Sequence, residues 1–398
     1  MELKLDIFQT MALVTVVFYL GTYFRKKIEI LSKYCIPAPV IGGLLFALVM
    51  LFLKLTNLAT IKLDTTLQDL FMTTFFASVG FTASFKILKS GGIKVAKFLG
   101  IAILLIVLQD ILGATLAKCF NLKSLLGLCT ASISMIGGHG TAGSFGPLLE
   151  ELGVNGATTV SFASATFGLV MGSFIGGFVA KNLIENYKIK TPKESKEQSI
   201  PLSDFHEDNK AILCHHRLIK ASAYLFFAMG IGSIISKLIQ QTELTFPSYI
   251  GAMIAAAIIR NFCDIRNQEL EEKEIEVIGN ISLTYFLCIA LMGLKLWELF
   301  DLALPLIVML VAQSLLMFIF AYFITFKVMG KDYDAVVFAS ASCGFGMGAT
   351  PNAVANMDAL SSKFGFVATP YFVVPIVGAL FVDFVNSAVI TLFVNILR

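Results

Sequence analysis

The 398-residue chain is 57% hydrophobic and only 14% charged, with a mean hydropathy of +0.82. A soluble domain with so little charge could not cover its own surface, so the class that fits is a polytopic membrane protein. A net charge of +3 does not mark a nucleic-acid binder, and the seven cysteines, Cys214 among them, are scattered without a Cys-x-x-Cys pair, suggesting neither a disulfide frame nor zinc.

In chain order, Met1–Asp6 carries Glu2 and Asp6 against Lys4, unlike the basic start of a cleaved signal peptide. The apolar run that follows, 7–24, is long enough to remain as a spanning helix. Further spans are expected at 37–53, 68–87, 98–118 and 158–180, with a glycine-interrupted segment at 124–149. A polar stretch rich in Lys, Glu and Ser covers 181–217. The series resumes at 218–238, 247–262, 277–296 and 302–326, followed by a second interrupted segment at 334–360 and a last span at 366–397.

The two interrupted segments match each other. Ala131, Ser132, Ser134, Gly138 and Gly140 fall on Ala339, Ser340, Ser342, Gly346 and Gly348 at a constant shift of 208 (340 − 132). Pro39 and Gly43 recur at the same shift as Pro247 and Gly251, and Gln109-Asp110 answers to Gln313-Ser314. Glycine clusters do not hold a continuous helix, so the same apolar helix is broken once in each half. Paired breaks of this kind point to the substrate site of a secondary transporter.

Basic residues set the expected topology. With both breaks re-entrant and the N-terminus outside, 22 of the 30 Lys and Arg residues fall on the inner side and 8 on the outer. Breaks that crossed fully would move the central stretch outside, with the eight basic residues between Lys181 and Lys220. The fold class expected is therefore an all-α polytopic membrane protein. It comprises two inverted-topology repeats of five transmembrane helices, 1–180 and 218–398, each with a broken, re-entrant glycine-rich segment. Residues 181–217 form a cytoplasmic linker and both termini are periplasmic. Five spans per half is odd, so the repeats enter the bilayer in opposite senses and their breaks meet near the midplane.

A helix broken at membrane depth must have its freed N–H and C=O groups occupied. Freed N–H groups suit a carboxylate, while carbonyls and hydroxyls suit a hard cation. Ser132, Ser134, Thr141, Ser340, Ser342, Thr350 and Asn352 supply that polarity beside the glycines. Gly168-x-x-x-Gly172-x-x-x-Gly176, by contrast, reads as close helix packing. His139 could titrate or make a polar contact at the tip of its break; its counterpart is Met347 and no partner lies at metal-ligand spacing. Asp110 and Asp383 are ionisable residues inside apolar spans, each a candidate cation ligand or the partner of a buried polar group. Gln109 and Gln313 read as polar support for the breaks. Arg260 reads as an interface marker and Trp297 as part of an aromatic belt.

Ile36–Gly43, Gly137–Ala142 and Gly344–Met357 resemble the corresponding motifs of the bacterial sodium–glutamate symporter family, and the resemblance extends over essentially the whole chain. It implies an inner-membrane symporter, not an enzyme, that imports L-glutamate with sodium as coupling ion and no other cofactor. It also implies an elevator-like mechanism and a homodimer. Carried over to this sequence, the substrate contacts would be Gly137, Gly138, His139, Gly140, Thr141, Gly346, Gly348, Ala349, Thr350, Pro351 and Asn352. Sodium would fall to Ser132, Ser134, Asp110, Ser340, Ser342, Asn356 and Asp383. Competing expectations are another organic anion or proton coupling on the same fold, a passive channel, and an intramembrane enzyme, for which no catalytic constellation is evident.

Overall fold

A computed structural model describes residues 2–58, 60–90, 92–192, 215–241, 245–300 and 302–398. Most of the expected linker, together with Cys214, lies outside the described residues. Helix α1 (Ile7–Lys27) opens on a capping box in which Gln9 N–H donates to Asp6 Oδ1 at 2.8 Å, and it closes on Arg25, Lys26 and Lys27. After a short α2 (Glu29–Lys33), Pro37 caps α3 (Ala38–Leu55), where a missing N–H costs nothing. Next come α4 (Thr66–Thr82), α5 (Phe85–Ser90) and α6 (Gly92–Cys119).

The first interrupted segment forms three pieces, α7 (Ser124–Cys129), α8 (Ser132–Met135) and α9 (Gly138–Glu151), and α10 (Ala157–Tyr187) follows. The second half holds α11 (His215–Gln240), α12 (Ile250–Ile265), α13 (Glu272–Met292) and α14 (Ala303–Ile319), the last running through a π-helical turn into α15 (Phe326–Met329). Its interrupted segment has one break only, between α16 (Tyr333–Gly346) and α17 (Thr350–Phe364). The chain ends in α18 (Ala368–Val377), a π-helical turn just after Pro375, and α19 (Asp383–Leu397).

Seven of these helices among the described residues are long and apolar enough to cross a membrane, which makes the chain a predominantly helical polytopic membrane protein. One small departure from all-α is a parallel pair of three-residue strands, β1 (Glu2–Lys4) and β2 (Thr60–Lys62), tying the N-terminus to the loop before α4. The span expected at 158–180 runs on to Tyr187. Lys181 and Glu185 end the hydropathy but not the helix, which stops where Lys188 adopts a left-handed conformation at φ 49°.

The helices pack in two groups, and each group draws on both halves of the chain. Helices α1, α3, α4, α11, α12 and α13 pack on one another, while α10 packs on α9, α16 and α17 beside α6, α7 and α14. Lys54, at the end of α3, stacks its ammonium 3.3 Å from the centre of the Trp297 ring, a cation–π pair. Within the second group the glycine row of α10 does pack closely. A Cβ on Gly168 would strike the Met347 carbonyl, and one on Gly172 would come within 2.8 Å of the Cys343 carbonyl. This row seats the second break. Gly168→Leu is expected to destabilise the protein by about 1–3 kcal/mol, the usual range for overpacking, seen as a lower thermal midpoint in detergent.

Candidate functional site

The two breaks meet. Gly138 sits in the left-handed region at φ 58°, which turns the chain from α8 into α9, and a Cβ there would lie 3.1 Å from the Gly348 carbonyl of the second break. Around this contact lies a cavity of about 520 Å³ between the two helix groups, a volume suited to a small solute. From one side it is lined by Gly137–Gly140 at the N-terminus of α9 and by Gly348–Asn352 at the N-terminus of α17, with Asp383 from α19. Both N-termini carry partial positive charge, but at α17 Pro351 has no N–H and the Asn352 N–H is held by the Ala349 carbonyl at 2.9 Å. The other side is formed by Phe75 and Val79 of α4 and by Glu276, Asn280, Leu283 and Leu287 of α13.

Nine of the eleven expected substrate contacts line this cavity; Thr141 and Gly346 do not. His139 is buried, with its Nε2 3.1 Å from Thr166 Oγ1 and its ring beside Phe162. Asn352 donates from Nδ2 to the Leu169 carbonyl at 2.7 Å while its Oδ1 has no partner, and Asn356 brackets the Gly172 and Ser340 carbonyls at 3.2 and 3.1 Å. Both amides thus fasten the second break to α10.

The expected sodium residues separate into two kinds. The Ser134 hydroxyl lies 2.6 and 2.8 Å from the carbonyls of Cys129 and Ser161, and that of Ser342 donates to Ala339 at 2.8 Å. Asp110 accepts from Ser132 N–H at 3.1 Å, but Asp110 Oδ2, Ser132 Oγ and Ser340 Oγ are buried without partners. Asp383 is partly exposed to the cavity. Gln109 supports the break of the opposite half, donating to the Gly346 carbonyl at 2.8 Å, while Gln313 holds the Gln109 carbonyl at 2.9 Å.

Sequence reasoning missed the contribution of α4 and α13. The available signal was Glu276 and Asn280, polar residues four apart at the start of an apolar span, on the face continued by Leu283 and Leu287. Arg260 also departs from its reading as an interface marker. It is buried, reaching Asp264 at 3.2 Å and Glu272 at 2.5 Å, and Asp264 further accepts from Ser84 Oγ at 2.5 Å. Arg260 and Glu272 line a second cavity that shares Phe75, Val79, Glu276 and Asn280 with the first. A third cavity beside the start of α4, lined by Gln68, Met72, Ser144 and Pro147, shares no described lining residue with the first. Tyr249, fully buried at the start of α12, stacks on Phe76 of α4 at 3.6 Å and meets Phe145 of α9 edge-on, so these rings join the three helices.

The family model described as sodium/glutamate symporter matches residues 3–366. The chain is 39% identical over 392 residues to the sodium/glutamate symporter of Escherichia coli strain K12, covering 98% of this chain and 97% of that protein. The protein of the same name from Shigella flexneri gives the same figures, and that of Haemophilus influenzae is 36% identical over 393 residues, again covering 98% and 97%. With the match running across both breaks, the chain belongs to the sodium/glutamate symporter family.

Proposed function

We propose that this chain takes up L-glutamate with sodium across the bacterial inner membrane. One observation carries the reading: two helix N-termini, one from each half, converge on a single cavity. Glutamate has two carboxylates, and each finds a favourable dipole at the start of α9 or of α17, with the Thr350 side chain in the cavity wall beside the latter. Its ammonium group then faces the carboxylates of Asp383 and Glu276. Sodium takes oxygen ligands among Asp110, Ser132, Ser134, Ser340, Ser342, Asn356 and Asp383. The ion gradient drives the cycle, so no covalent chemistry is needed.

The element order supports the inverted repeat of 1–180 and 218–398. α1, α3, α4, α6, the first break and α10 are answered in turn by α11, α12, α13, α14–α15, the second break and α18–α19. Ten spans result when α4, α12 and the continuous run Ala368–Leu397 join the seven long helices. The distribution of basic residues favours periplasmic termini and a cytoplasmic linker. On that orientation the cavity opens inward through the Arg260 side and is closed outward by Phe76, Phe145 and Tyr249. The group carrying both breaks moves against the other as an elevator, in a homodimer whose fixed part is the α4–α13 group.

Glutamate uptake into proteoliposomes at fixed potential and pH is expected to fall at least about tenfold, roughly 1.4 kcal/mol, when sodium is replaced by choline. Uptake indifferent to that replacement would sink the coupling. The position of His139 in the cavity wall keeps proton coupling as a second reading. That reading requires pH-driven uptake without sodium, lost in His139→Ala.

A further inference from the structure

We propose that Asp110, Ser132 and Asn386 enclose one dehydrated monovalent cation in a closed site behind the cavity wall. The inference rests on the sodium-coupled reading above and narrows it to three side chains, one of them, Asn386, outside the motifs. The three come from α6, α8 and α19 and are each 0% exposed. Two hydrogen bonds lock them together: Ser132 N–H donates to Asp110 Oδ1 at 3.1 Å, and Asn386 Nδ2 donates to the Ser132 carbonyl at 3.1 Å. The remaining oxygens of the same groups, Asp110 Oδ2, Ser132 Oγ and Asn386 Oδ1, are buried with no partner.

Buried polar atoms are almost always satisfied, so three orphans around one residue call for an occupant. All three are acceptor oxygens, the ligands of a hard cation, with no sulfur or imidazole to favour a transition metal. One carboxylate balances one positive charge, whereas a divalent ion would leave a net charge buried. The corresponding place in the second half lacks this balance: Ser314 stands where Asp110 does, and its hydroxyl donates to the Leu310 carbonyl at 2.9 Å. The repeat therefore yields one charge-balanced site.

None of the three side chains lines the cavity, but Asp383 does, one turn before Asn386 on the same face of α19. Asp383 marks the way in. The carbonyl of Ser132 also accepts from Gly137 N–H at 3.0 Å, immediately before the α9 N-terminus. A cation that fixes Ser132 thereby fixes the N–H groups offered to the substrate carboxylate, which couples the two ligands.

The test is thermal unfolding of the purified full-length protein without glutamate, in sodium, potassium or choline chloride. Wild type is expected to be stabilised by sodium over choline. The half-saturating sodium concentration should rise about 10–100-fold in Asn386→Ala and in Asp110→Asn, the range typical for losing a supporting contact at a metal site. Monodisperse elution establishes that each variant is folded, and Asn386→Ala carries the test if Asp110→Asn does not assemble. Folded variants whose half-saturating sodium stays within about twofold of wild type would overturn the site. Wild type that binds sodium yet fails to take up glutamate would overturn the transport reading and leave the site standing.

Discussion

Gly138→Ala is expected to cut sodium-driven glutamate uptake by about tenfold or more while the protein still reaches the membrane. Two independent effects act at this residue. Its backbone sits at φ 58°, where an L side chain costs about 1–2 kcal/mol. Its Cβ would also press on the Gly348 carbonyl at 3.1 Å, so the two breaks would have to part. Either adjustment tilts the first turn of α9, whose N–H groups face the cavity. Gly177→Ala is the matched control, because a Cβ there meets nothing within 4 Å. Proteoliposome uptake at equal protein density checks both; equal rates for Gly138→Ala and Gly177→Ala would dismiss the break contact as a functional feature.

Arg260→Met should be the most destabilising single charge removal at the C-terminal end of α12, by about 3 kcal/mol. Arg260 and Asp264 are both largely buried, and the substitution leaves the carboxylate with only the Ser84 hydroxyl. The contact to Glu272 contributes little of this, since that side chain is 60% exposed and screened by solvent. Thermal unfolding in detergent measures the loss. Asp264→Asn in the same protein should recover part of it by removing the stranded charge, and a midpoint for Arg260→Met equal to wild type would count against a buried ion pair.

How far the sequence led depends on the kind of contact. Both breaks, their pairing and most of their cavity residues were visible, because glycine clusters in apolar helices are a local, covalent signal. Gln109 was visible as a polar residue recurring in both halves. The three-piece form of the first break was not: Ala131 and Gly138 turn the chain separately there, whereas the second break turns once, and aligned glycines alone do not distinguish the two. The opposite wall was hidden as well, since Phe75, Val79, Leu283 and Leu287 look like any span residues until α4 and α13 are paired. Arg260 was misread for a related reason. A cation at the end of a span looks like an interface marker until the first residue of α13, Glu272, is brought back against it.

The exchange of helices between the two groups has a consequence for synthesis. When the ribosome has made only α1 to α10, α4 still lacks α12 and α13, its two principal neighbours, and α10 lacks α16 and α17. The first half can therefore pair α1 with α3, α6 with α7 and α9 with α10 as it is inserted, but α4 and α10 must wait partly unpacked in the lipid until the second half arrives. Two separately expressed fragments divided at the linker should accordingly be degraded alone and rescued by co-expression. The partition that gives the protein its two bodies also makes the completion of each depend on both halves.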